Sequence, residues 1–266
     1  MKVKIAVVQF KVRKVSEEEN LKKAEEFIKK AASLKADIIV FPEDFVTRTT
    51  PEDTEFFNSK KHLKHFQKLA KKYKIDIVPG SFIEKEGSKL HNTSHYIDYR
   101  GEILAKYEKI HLWVTERKKM KPGRKVSVFK TRHGKIGMII CWDLMFPEMF
   151  RKMTKKGVQI IICPAYWCYE DAGKGLRYDK NSEIKLVDSL CVDRAFEEEV
   201  ILVFCNAAGN GEYKNKNESL VGHSQITVPF KGSVKKLNHN KEDMIIQEVD
   251  TSILKDAEAS YKIRKK

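Results

Sequence analysis

Three segments of this 266-residue chain carry side chains that could together perform acyl chemistry. Cys141 ends the apolar run IGMIIC and is followed by Trp142-Asp143 and a stretch whose first turn holds Pro147 and Glu148. A thiol on a strand-to-helix turn has its reactivity set by nearby charge and backbone N–H groups, which favour thiolate. Taken alone, Cys141 reads as a buried structural cysteine, and a nucleophilic role requires a base and an electrostatic partner. Glu43 stands just past the buried run Asp37 to Phe41 and Pro42, where desolvation raises a carboxyl pKa and suits it to proton transfer. Lys109, in Tyr107-Glu108-Lys109-Ile110-His111-Leu112, has an apolar residue and an aromatic close by and could stabilise a developing oxyanion. Singly, Glu43 is an ordinary loop acid and Lys109 is one of 42 lysines.

Periodicity indicates the elements that must position these groups. Val3 to Phe10 alternates like a strand, and Glu17 to Leu34 places Leu21, Ala24, Phe27, Ile28 and Ala31 at helical spacing. Asp37 to Phe41 is a second strand ended by Pro42. Phe56 to Tyr73 repeats the helical pattern, and Ile75 to Ile83 reads as strand. Asn92 to Tyr99 and Glu102 to Lys106, joined at Arg100-Gly101, read as a hairpin. The second half predicts strand Lys135 to Cys141, helix Pro147 to Lys156, strand Val158 to Cys163, helix Ser182 to Glu198 and strand Val200 to Asn206. IGMIIC, VQIIIC and VILVFC are nearly continuous in apolar residues, as in strands covered on both faces. With no Pro/Gly/Ser-rich linker and no fixed-period repeat, residues 1–266 read as one α/β domain with a short basic tail at about 255–266. Its long irregular stretches are Thr47 to Thr54, Trp113 to Lys125, Tyr166 to Lys180 and Gly209 to Leu220, the places where function concentrates.

Composition narrows the classes. A hydrophobic fraction of 41% supports a sizeable core and excludes a disordered chain or a small disulfide scaffold. No apolar run spans a bilayer and the N-terminus is unlike a signal peptide, so a soluble, cytoplasmic protein with no membrane partner is expected. Cys141, Cys163, Cys168, Cys191 and Cys205 are odd in number and form no CxxC pair, which fits reduced thiols. The net charge of +15 suggests a phosphate-bearing partner, but 42 of 52 basic residues are Lys and they are spread along the whole chain. A solvated lysine surface is the plainer reading, and no nucleic-acid partner is expected. A basic field of this kind would also draw small anions toward a site.

FPE at Phe41 to Glu43, YEKIHL at Tyr107 to Leu112 and CWDLMFPE at Cys141 to Glu148 occur in that order, with Lys109 following Glu43 by 66 positions and Cys141 following Lys109 by 32. Together they resemble the three signatures of the nitrilase superfamily, the carbon–nitrogen hydrolases. The similarity spans Lys4 to Gln247 and includes Pro122-Gly123, RAFEEEVILVFCNAAG and GHSQITVPFKG. It implies a four-layer αββα sandwich and a Glu-Lys-Cys triad acting on non-peptide amides or related C–N bonds. On that resemblance Cys141 is the nucleophile, Glu43 the general base and Lys109 the cation facing the tetrahedral intermediate. Glu116, in TERKKMKPG, matches a second glutamate that orients the lysine, and the Trp142 backbone N–H completes the oxyanion hole. Thiol, carboxyl and ammonium supply what amide acyl transfer needs, so no metal or organic cofactor is expected. The resemblance further implies a homodimer or higher homo-oligomer.

Some positions depart from the commonest pattern. Met145 stands where many members carry Arg, Val228 replaces a frequent Asp, and Glu198 replaces a usual Asn. Asp143, two after the cysteine, is similar to the amidase and carbamoyl-amidase branches, whereas nitrilases usually carry Glu there. The expected substrate is a small amide or N-carbamoyl compound, with a nitrile or an acyl acceptor as alternatives on the same triad and a non-catalytic nucleic-acid binder as a remote one. Tyr166, Trp167 and Tyr169 read as pocket wall or as aromatics on the core rim. His91 and His95 lie in a strand, where a four-residue spacing carries no metal signal, and His62 and His65 read as part of a solvated lysine-rich face. His111 shares a strand side with Lys109, in a supporting or merely structural role.

Overall fold

The computed structural model describes residues 1–12, 17–46, 59–213 and 216–264. The first half of the chain builds one sheet from β1 (Lys2–Gln9), β2 (Ile38–Val40), β3 (Asp76–Val78), β4 (Ser81–Glu86), β5 (Lys89–Ile97) and β6 (Ile103–Glu108). A second sheet contains β7 (Ser127–Thr131), β8 (Gly134–Met138), β9 (Ile160–Ala165) and β10 (Ile201–Asn206). The chain then makes the separate hairpin β11 (Asn210–Tyr213) and β12 (Lys216–Ser219), adds β13 (Gln225–Val228) and β14 (Gly232–Lys236) to the second sheet, and returns as β15 (Asp243–Asp250). β15 pairs antiparallel with β1 along its length, Lys2 opposite Asp250 and Gln9 opposite Asp243, so the end of the chain closes the first sheet. The strand orders are β15-β1-β2-β3-β5-β4, with β6 on β5, and β14-β13-β10-β9-β8-β7.

Alternation within the strands explains the layering. Val3, Ile5 and Val7 of β1 join the core shared with Ile160, Ile162, Leu202 and Phe204 of the other sheet. Ala6 and Val8 point the opposite way, onto Ala24, Ile28 and Ala31 of α1 (Glu17–Ser33) and Phe66 and Ala70 of α2 (Ser59–Tyr73). The second sheet is covered by α3 (Pro147–Thr154), whose Met149, Phe150 and Met153 are buried, and by α4 (Ser182–Glu197). The result is the four-layer αββα sandwich. Each of these fully buried Ile, Leu and Phe side chains contributes about 1.5–3 kcal/mol.

The expected elements recur with three informative differences. Ile75 to Ile83 is two strands, broken at Gly80, whose φ is +69° and whose absent Cβ would lie 1.9 Å from the Pro42 carbonyl oxygen. Within the stretch read as a basic tail, α5 (Ile253–Tyr261) buries Leu254 and Ala257. His62, read as part of a solvated face, is 2% exposed and paired with Glu17, because α2 packs this side against the start of α1. Thr47 to Thr54 lies outside the described residues. Among the described residues no helix is long and apolar enough to cross a membrane.

Candidate active site

Glu43 is positioned by β2, which is buried on both faces and ends at Phe41-Pro42. Gly80 lets the neighbouring chain pass against Pro42, and the Glu43 N–H donates to the Ala165 carbonyl at the end of β9 at 3.3 Å. The side chain therefore points into the seam between the sheets. Its Oε1 accepts from Lys109 Nζ at 2.9 Å and from the Asn92 side-chain amide at 2.7 Å, and its Oε2 accepts from the Tyr166 N–H at 3.0 Å.

Lys109 follows β6 and is held by its backbone: its N–H donates to Asn92 at 2.8 Å and its carbonyl accepts from Gly123 at 2.8 Å. Only glycine fits at 123, since a Cβ would lie 2.2 Å from the Glu108 carbonyl oxygen, which accounts for the Pro-Gly pair in the sequence. The ammonium lies between Glu43 at 2.9 Å and Glu116 at 2.8 Å, with 1% of its side chain exposed. Burial opposes the charge, but Glu116 and Glu43 outweigh it and hold Lys109 well above the ordinary lysine value. Glu116 opens a short 3-10 turn; its Oε2 accepts from the Trp113 N–H at 2.7 Å and its Oε1 from the Asn92 amide at 2.8 Å. Burial pushes its carboxyl up, and the Lys109 charge with these donors brings it below the usual carboxylate range. Asn92, Glu43, Lys109 and Glu116 thus form a closed ring of charge-assisted hydrogen bonds.

Cys141 opens the 3-10 turn Cys141–Met145 at φ +46°, a left-handed conformation that costs a non-glycine residue about 1–3 kcal/mol. Asp143, fully buried, holds that turn. Its Oδ2 accepts from the Ile140 N–H at 3.0 Å and the Tyr107 hydroxyl at 2.7 Å, and its Oδ1 from the His111 N–H at 2.8 Å, with His111 Nδ1 at 3.0 Å. One carboxylate therefore fastens the cysteine turn to the segment that carries Lys109. The Cys141 N–H faces the Cys163 sulfur, and the Tyr166 N–H faces the Cys141 thiol. Burial and the neighbouring Glu43 push that thiol well up, against Lys109 and the Tyr166 N–H, so it rests protonated at neutral pH.

The structure brings Glu43, Lys109, Glu116 and Cys141 into one buried group. Trp142 is half-buried, with its ring edge-on to Trp113 at 4.5 Å and tilted on Trp167 at 5.5 Å. Trp167 is a core residue, 1% exposed, whose Nε1 donates to Glu183 at 2.6 Å; Tyr166 contributes its backbone N–H, and its hydroxyl donates to Glu218 at 3.0 Å. His111 stacks on Phe146 with ring centroids 3.6 Å apart. His91 and His95 are engaged by Glu108 and Glu84, not by each other. Among the described residues no group of three or more His, Cys, Asp or Glu side chains is arranged to hold a metal ion. Sequence reasoning missed Asn92, the hub of the ring. Its signal was a polar residue on the same strand face as the inward-facing Ser94 and Tyr96, where a buried amide needs partners.

A buried thiol, carboxylate and ammonium at the seam of an αββα sandwich is the layout of a carbon–nitrogen hydrolase. Residues 4–258 match the family model described as carbon-nitrogen hydrolase, and the chain belongs to this family. It is 31% identical to the 2-oxoglutaramate amidase of Bacillus subtilis, covering 94% of this chain and 92% of that protein. It is also 31% identical to the N-carbamoylputrescine amidase of Oryza sativa, covering 96% and 88%. The crystal structure of Saccharomyces cerevisiae Nit3, a member of branch 10 of the nitrilase superfamily, superposes with a TM-score of 0.83 at 25% identity, over 98% of this chain and 94% of that one. The chain is an enzyme of the carbon–nitrogen hydrolase class.

Proposed function

We propose that the chain is a cofactor-independent thiol amidohydrolase that cleaves a small non-peptide amide or N-carbamoyl compound through a thioester on Cys141. The observation that carries this reading is the ring of Glu43, Lys109, Glu116 and Asn92 beside the buried Cys141 thiol. A thiol held protonated needs a base at the moment of attack, and Glu43 is the carboxylate whose charge acts on it. Cys141 Sγ bonds to the substrate carbonyl carbon as its proton passes to Glu43. The resulting oxyanion meets Lys109 Nζ and the Trp142 N–H; the Cys141 N–H is turned to Cys163 instead. Glu43 then returns the proton to the leaving nitrogen, the C–N bond breaks, and ammonia or an amine departs. Water, deprotonated by Glu43, attacks the thioester and releases the acid and the thiol. Glu116 keeps the lysine charged and in place between two carboxylates.

The amidase relatives support an amide or N-carbamoyl substrate. All five cysteines are free, which suits a reducing cytoplasm, and we propose a homodimer or higher homo-oligomer as the working form. An ammonia- and amine-release assay across short ω-amides, aliphatic amides, N-carbamoyl amines and nitriles tests the reading. Turnover of an amide or N-carbamoyl amine is expected. Turnover of nitriles alone, or transfer to an acyl acceptor without hydrolysis, contradicts it.

A further inference from the structure

The chemistry above leaves the lysine-rich helix α2 unused. Among its 15 residues it carries Lys60, Lys61, Lys64, Lys68, Lys71 and Lys72 and no acid. Between it and Leu21 of α1 lies a groove of about 480 Å³, lined among the described residues by Lys60, Lys61, His62, Lys64, His65 and Lys68. Among the described residues Glu25 pairs with Lys72 at 2.8 Å, and Glu17 pairs with His62. Among the described residues no carboxylate pairs with Lys60, Lys61, Lys64 or Lys68. Among the described residues the buried His65 Nε2 has no hydrogen-bond partner. Burial pushes the His65 imidazole down; Glu25 opposes this, and His62 and Lys68 add to it. A concave surface of this kind holds cations that repel one another, and a bound anion relieves that repulsion.

We propose that this groove binds a small molecule carrying a chain of two or more phosphate groups. Lys60, Lys64 and Lys68 stand on one side of the helix at steps of four residues, about 6 Å each, so their backbone positions span about 12 Å along it. Their flexible stems let them converge on a di- or triphosphate chain, for which lysine serves as a point-charge partner. The volume falls within the roughly 300–1,000 Å³ of small-molecule sites.

Titration calorimetry of inorganic triphosphate against the full chain near physiological salt tests this. One saturable site is expected, weakened roughly tenfold or more in K64E/K68E and unchanged in K152E/K155E, two exposed lysines in and just after the last turn of α3. In the wild-type chain the His65 ring resonances shift on adding triphosphate, a readout independent of any variant's folding. ATP that competes for the site assigns the phosphate chain to a nucleotide, and triphosphate binding without ATP competition assigns it to free polyphosphate; both outcomes support the site. Three results overturn it: no saturation at roughly millimolar triphosphate, equal weakening in both variants, or binding of heparin or duplex DNA with triphosphate silent.

Discussion

Replacing Asp143 by Asn keeps the shape of a fully buried side chain and turns one of its two acceptors into a donor. Oδ2 accepts from the Ile140 N–H at 3.0 Å and the Tyr107 hydroxyl at 2.7 Å, and Oδ1 faces the His111 N–H and Nδ1. Hydrogen bonds to a charged group contribute roughly 1.5–3 kcal/mol each, and a buried donor left unpaired costs about 1–3 kcal/mol. In the variant Ile140 loses its acceptor, while the Tyr107 hydroxyl can rotate to accept from the new amide, so the loss should be about 3 kcal/mol. For a chain of this length 1 kcal/mol moves Tm by roughly 2–4 °C, giving a melting point about 6–12 °C lower by calorimetry. The same substitution releases the turn that holds Cys141 at φ +46°, so kcat/KM for amide hydrolysis should fall by about 10²-fold below the variant's melting range. Tyr107→Phe removes one of the donors to Asp143 and should lower Tm by roughly half as much. A Tm within about 3 °C of wild type together with an unchanged kcat for Asp143→Asn would refute the assignment of this carboxylate as the clamp.

Lys109→Met leaves Glu43 and Glu116 buried without their shared cation and should cost about 3–5 kcal/mol in addition to activity. The pH dependence reverses as well. In the wild type Glu116 is depressed, so its contribution is complete above the ordinary carboxylate range and declines as pH falls through its folded value. Without the lysine, burial raises it and the variant's Tm deficit should be larger at about pH 8 than at about pH 5; an equal deficit contradicts this. Asn92→Ala removes the amide donations to Glu43 and Glu116 and should lower kcat by roughly 10- to 100-fold with KM little changed, as measured by ammonia release. Because Cys141 is pushed up by burial and Glu43, difference absorbance at 240 nm between wild type and Cys141→Ala should show no thiolate from about pH 7 to 9; a thiolate titrating near neutrality would count against Glu43 as the base.

The interior of the fold was readable because its strands are buried on both faces. IGMIIC, VQIIIC and VILVFC have one physical explanation, and β8, β9 and β10 fall on them. β7, β14 and β15 escaped because half-exposed residues blur their alternation, as in the burial of Asp243–Asp250, and β13 because its four residues, all buried, are too few to show a period. That β15 closes the sheet on β1 depends on a contact some 240 positions away, which no local pattern contains. Glu43, Lys109 and Cys141, which the structure brings together, stand in three ordered motifs, each indistinct alone. Asn92 and the clamping role of Asp143 were hidden because their partners come from segments distant in sequence, and hydrogen bonding leaves no period in the chain. His62 was misjudged because a helix of lysines conceals its one carboxylate-paired face.

The central claim is a thioester on Cys141, and mass spectrometry of the chain quenched during turnover of a slowly hydrolysed amide or ester addresses it directly. Added acyl mass is expected on the peptide containing Cys141-Trp142-Asp143, lost on standing in water and absent from a Cys141→Ala variant that no longer turns over. Acyl mass on another residue, or undiminished hydrolysis by Cys141→Ala, would contradict it.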